Sequence, residues 1–256
     1  MPDRNREPAM KTKTSFLASA FAALLALASD AALATTSWSA TGADLYASTD
    51  ATAYANNGTG GTLKEGNKAL WGDNLGISPN GVSETSPQHA VDNSGYTESL
   101  LLNFSSMGTA VLNAITIGWK YNDADVSILA YTGNNVAADN PSDVSGKTYS
   151  GLLGSGWEIV SNQGNLSTGV TRSFNTGPDA VSSSYWLIAA YNTAFSSLAC
   201  SGGACGGGND YFKISALGGS VTPPDNKVPE PSPMALLGAT LLGALALRRR
   251  QKSDAS

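Results

Sequence analysis

Through the middle of the chain, from residue 100 to about 221, the apolar residues fall in short runs between turn-forming clusters, and no run keeps a helical period. That pattern constrains the fold more than anything else in the chain. Residues 100–104 form a short apolar run. Residues 110–119 alternate, which puts Ile115, Ile117 and Trp119 on one face. Residues 126–131 are almost wholly apolar, as a strand inside a sandwich core requires. Segments 157–160 and 170–174 are shorter candidates. Residues 184–191 set Tyr185, Leu187 and Tyr191 against Trp186 and Ile188. Residues 211–217 turn Phe212, Ile214 and Ala216 inward, and 37–46 supply an edge strand. Asn134-Asn135, Asp139-Asn140-Pro141 and residues 162–165 mark turns between them.

Composition points the same way. Only 14% of the residues are charged, and glycine is abundant at 28 residues. Glu, Lys and Arg usually clothe helices, whereas Ser, Thr and Asn suit strands and turns. The expectation is an all-β chain: one antiparallel β-sandwich, jelly-roll-like, over residues 35–221. Neither an internal repeat nor a second domain is visible.

The two ends read as targeting segments. Lys11 and Lys13 lead into an apolar run at 16–28, and Ala32-Leu33-Ala34 follows. A basic lead, a short apolar core and small residues at Ala32 and Ala34 predict a signal peptide over 1–34, cut after Ala34. Export by the Sec machinery follows. At the other end, a linker over 222–233 carries Val228-Pro229-Glu230-Pro231. An apolar stretch at 234–247 comes next, then Arg248, Arg249 and Arg250. Fourteen helical residues rise about 21 Å, short of the ~30 Å hydrocarbon core. Such a single transmembrane helix, with its basic tail to 256, suits a temporary stop in the inner membrane. The arginines would stay cytoplasmic, and the body would lie outside.

The tail resembles the PEP-CTERM sorting signal, with its Pro-Glu-Pro, apolar stretch and arginines in the same order. That resemblance implies an exosortase as partner, with release to, or attachment at, the cell surface. The mature body offers a second resemblance. Ser86-Pro87-Gln88-His89-Ala90-Val91-Asp92-Asn93-Ser94-Gly95, the strands that follow, and Gly-Asn-Asp-Tyr-Phe-Lys-Ile at 208–214 are similar to exosortase-dependent surface proteins. Discoidin and carbohydrate-binding sandwiches are a more distant likeness.

Residues 35–227 carry 15 Asp and Glu against 7 Lys and Arg, a net charge of −8. So few cations make nucleic acid a poor partner. Cys200 and Cys205 are the only cysteines. In an exported chain they predict a local disulfide that pins the glycine-rich loop 202–208. A zinc site is not expected, because His89 is the sole histidine and lies far away.

No nucleophile elbow, P-loop or dinucleotide fingerprint is present, so the chain reads as non-enzymatic. His89 reads as a turn histidine. The chemistry that remains is a structural calcium ion, drawn from Asp92, Asn93, Asp123, Asp125, Asn209 and Asp210. The same residues also suit ordinary turns. Trp119 and Trp186 are expected in the core, and Trp71 at the surface. The functional expectation is a surface or extracellular-matrix protein associated with exopolysaccharide or biofilm. A carbohydrate-binding module of the matrix, or a secreted glycan hydrolase, are the alternatives.

Overall fold

The computed structural model describes residues 35–224, apart from 59, 85–88, 134–139 and 207–208. The predicted signal peptide, cleavage site, sorting motif and transmembrane helix lie outside the described residues. In chain order the elements are β1 (Thr36–Thr41), α1 (Gly42–Ala47), β2 (Ala51–Asn56), β3 (Leu63–Glu65), β4 (Asn67–Trp71) and β5 (Asn74–Ser78). There follow β6 (Val91–Asp92), β7 (Glu98–Asn103), β8 (Thr109–Asn122), β9 (Val126–Tyr131), α2 (Tyr149–Leu153) and β10 (Trp157–Gln163). The last are β11 (Thr171–Ser173), β12 (Tyr185–Ala190), β13 (Cys200–Ser201) and β14 (Asp210–Thr222). The fold is all-β, with few and short helices. Among the described residues no helix is long and apolar enough to cross a membrane.

Two sheets form the body. The first has the order β11-β8-β14-β5-β4, with β1 and β6 also paired to β14. The second runs β13-β10-β9-β12-β7-β2-β3. Every strand pair among the described residues is antiparallel except β10 with β13. The main core lies between the sheets and includes Leu100, Ile115, Ile128, Trp186, Phe212 and Ile214. A second cluster covers the far face of the second sheet, where Leu129 and Leu187 meet Tyr149, Leu152 and Phe195. Residues 126–131 lack polar alternation for this reason: β9 is buried on both faces.

Long β14 organises the first sheet. It pairs with β8 from Asp210↔Asn122 to Thr222↔Thr109. Its thirteen residues at about 3.3 Å each span roughly 40 Å. It therefore begins at one end of the sandwich and leaves at the opposite end. The ladder with β8 shifts register between Lys213 and Ile214, between Ile214 and Ala216, and between Gly218 and Gly219. Those irregularities reset the alternation. Phe212 and Ile214 are buried as expected, but Leu217 takes the inward place assigned to Ala216. They also move Trp119, expected in the core, to a half-buried site beside Lys213.

Two further departures have local causes. The strand expected over 37–46 stops at Thr41, which caps α1. Its hydroxyl accepts from the Asp44 N–H at 3.2 Å, while its own N–H donates to Asp44 Oδ2 at 2.9 Å. This reciprocal pair satisfies two amides that a helix start would otherwise leave unpaired. The turn expected at 162–165 begins two residues late, because Asn162 and Gln163 still belong to β10. Buried Asn162 is accounted for: its amide donates to the Phe195 and Leu198 carbonyls, and its oxygen accepts from Ser127.

Candidate functional site

The strand registers gather the acidic residues at one end of the sandwich. β8 ends there at Asn122, β14 starts at Asp210, β9 starts at Val126, and β7 starts at Glu98. Asn122 and Asn209 both hold positive φ, at 58° and 70°. Asparagine tolerates that conformation better than most residues, so both suit these turns.

Two carboxylate triads result. Asp123, Asp125 and Asp210 each place an oxygen within 4.8 Å of the others. Glu84, Asp92 and Glu98 do the same. Between them lies Asn93. Its amide donates to Asp210 Oδ2 at 2.6 Å and to the Tyr191 carbonyl at 2.9 Å. Its oxygen accepts from the Asp210 N–H at 3.0 Å. Three of the six residues proposed for calcium thus meet in the first triad. Asp92 joins the second, Asn93 braces Asp210, and exposed Asn209 belongs to neither.

The first triad is well supplied with donors. Asp125 is fully buried, and its two oxygens accept from the Asn165 N–H and the Gly206 N–H, both at 2.7 Å. Asp210 Oδ1 accepts from the Asp125 N–H at 2.9 Å. Asp123 accepts from the Ala124 N–H at 2.8 Å. Burial, aided by the Asp125 charge, pushes the Asp210 carboxyl up to about 7. Burial also raises Asp125. The triad is held by backbone amides, a common way to keep buried acids in place.

The second triad is poorer in donors. Burial pushes Asp92 up to about 7, and Glu98 well above the usual carboxylate range. Asp92 Oδ1 accepts from the Ser94 N–H at 2.9 Å, and Glu98 Oε2 from the Asp92 N–H at 3.1 Å. The other Glu98 oxygen is buried with no hydrogen-bond partner. His89 sits at a turn with φ 55°; its N–H donates to Glu84 Oε2 at 2.8 Å. Its Nδ1 is 3.4 Å from the same oxygen. The sequence left Glu84 and Glu98 unmarked, because isolated acids read as solvated surface. Only their proximity in the fold identifies them.

Cys200 and Cys205 form a disulfide, with Cα atoms 6.0 Å apart. The loop it closes delivers Gly206 to Asp125, and the Ala204 carbonyl accepts from Asn165 Nδ2 at 3.2 Å. Replacing both cysteines by serine is expected to cost about 1–2 kcal/mol, the modest value of a short loop. The sharper expected change is local. Proteolysis should cut near 201–206 much faster in the variant, while urea denaturation shows only the small global loss.

Among the described residues Trp71 is the most open aromatic, with 72% of its surface exposed. Lys213 approaches its ring centroid to 5.4 Å and that of Trp119 to 5.6 Å. Tyr121 and Tyr211 meet edge to face nearby on β8 and β14, 5.9 Å apart.

Residues 227–250 match the PEP-CTERM protein-sorting motif. That covers the Val228 to Pro231 segment and the three arginines at 248–250. The motif implies recognition by an exosortase, a membrane-anchored precursor, and sorting to the cell surface. No curated protein and no solved structure matches the chain.

Proposed function

We propose that the chain is a non-enzymatic protein of the cell surface or extracellular matrix, processed by an exosortase after export across the inner membrane. The sorting motif at 227–250 carries this reading. It follows the body closely: β14 ends at Thr222, and the motif starts five residues later. The Pro229-Glu230-Pro231 sequence within it is where processing is proposed. Mass spectrometry of protein recovered from culture tests the processing. The expected species runs from Thr35 to near Pro231. An exported species that keeps Arg248 to Arg250 would overturn the reading.

Association with exopolysaccharide is part of the same proposal, and Trp71 favours it. A tryptophan this open is an exception among large apolar residues, and its ring face suits stacking against a sugar ring. Binding of matrix polysaccharide should weaken clearly in Trp71→Ala, with stability unchanged. Equal binding by both proteins would remove the glycan from the proposal and leave the sorting intact.

A further inference from the structure

The second acidic triad joins the two sheets. Asp92 lies in β6, which pairs with β14 of the first sheet. Glu98 opens β7 in the second. Glu84 arrives from the segment before β6, with its side chain only 13% exposed. Their carboxylates converge within 4.8 Å. Three acids this close repel one another, and burial removes the water that would screen them.

The local charges do not resolve that conflict. Glu84 is approached by His89, and the Lys213 charge also reaches it from β14. The charged groups acting on Asp92 and Glu98 are negative: Glu84 on Asp92, and both Asp92 and Glu84 on Glu98. Glu98 is fully buried, yet one of its oxygens meets no donor. Leaving a buried acceptor oxygen unmatched costs more than an ordinary hydrogen bond contributes. The first triad shows how this fold satisfies buried acids when amides suffice. The second lacks that provision.

We infer that Glu84, Asp92 and Glu98 bind one hard divalent cation of the calcium class, which ties β6 to the start of β7. The three acids offer only carboxylate oxygens, which suit calcium or magnesium better than softer metals. Three carboxylates can give up to about six oxygens, near the six to eight that calcium takes. The unmatched Glu98 oxygen gains its partner, and the mutual repulsion becomes shared attraction. This inference does not depend on the sorting reading.

The test uses the full chain in detergent, stripped with chelator and titrated with calcium chloride. Calorimetry should show one calcium per chain. At a hundredfold excess over Kd, Tm should rise by roughly 5–10 °C. Glu98→Gln and Glu84→Gln should each weaken binding at least about tenfold, a loss of ~1.4 kcal/mol. Glu84→Gln guards against misfolding of the buried variant. Asp123→Asn should bind as the wild type does. Three results would each overturn the inference. One is no response to calcium or magnesium at about 10 mM, above the range of weak extracellular modules. Another is binding lost in Asp123→Asn but kept in Glu98→Gln, which moves the ion to the first triad. The third is a cation-indifferent wild type beside a more stable Glu98→Gln, the mark of acids that share a proton.

Discussion

Trp186→Ala is expected to destabilise the body by about 3–5 kcal/mol, the largest effect of any single truncation considered. Trp186 sits on β12, which pairs with β7 on one side and β9 on the other. It is fully buried between the sheets. Its Nε1 donates to the Ala110 and Ser183 carbonyls, both at 3.1 Å. Alanine would leave a cavity among Leu102, Ala130 and their neighbours, and would strip a donor from two carbonyls. That is a large share of a domain's whole stability, typically about 5–15 kcal/mol. Urea denaturation at 25 °C checks this: the midpoint should fall sharply with the slope unchanged. A midpoint within the spread of Trp71→Ala would contradict the core assignment.

In chelator, the protein is expected to lose stability as pH rises from about 4 to 7. Asp92 and Asp210 each have a folded-state pKa of about 7 against an ordinary 3.8. Below pH 3.8 both states hold the proton, and these groups leave stability untouched. Between the two values the unfolded chain has released a proton that the folded chain still keeps. Each unit of pH then favours unfolding, and the loss is complete near pH 7. Together the two groups contribute on the order of 4 kcal/mol, after allowing for screening at this part-open end. Glu98, raised by burial and then by Asp92, acts in the same direction. Asp143 is held low by the Ser145 N–H and Asp44 by Thr41; both act in the opposite sense but face solvent. Denaturation midpoints measured across this range in EDTA should fall with pH. A flat or rising profile would contradict the burial of the acids.

Strands with large side chains were legible in the sequence. β7, β8, β9, β12 and β14 are built on Leu, Ile, Val, Trp and Phe, and their runs show directly. The region 51–92 was not legible. β2 buries Ala51, Ala53 and Ala55, and alanine gives little signal for strand over helix. Gly76 of β5 looks like a turn residue, yet it is a contact. A methyl group there would strike the His89 carbonyl, so glycine lets the segment before β6 lie against the sheet. The faces of Trp119 and Ala216 were misread because a bulge cannot be seen in alternation alone. Of the acidic residues, Asp123 and Asp125 stood out by adjacency. Glu84, Asp92 and Glu98 are spread over fifteen positions. Only the fold brings their carboxylates within 4.8 Å of one another.

The length of β14 has a consequence for the anchored precursor. It carries the chain from Asp210 at the acidic end to Thr222 at the other, and only four residues separate Thr222 from the motif at 227. The apolar stretch itself begins at 234, so eleven residues, 223–233, lie between, with a reach of up to about 40 Å. While the tail holds, the tether thus leaves from the end of β14 opposite the carboxylates, which need not lie against the anionic lipid headgroups. Ions in the outer medium could reach them from the moment of export, so filling the site need not wait for the protease.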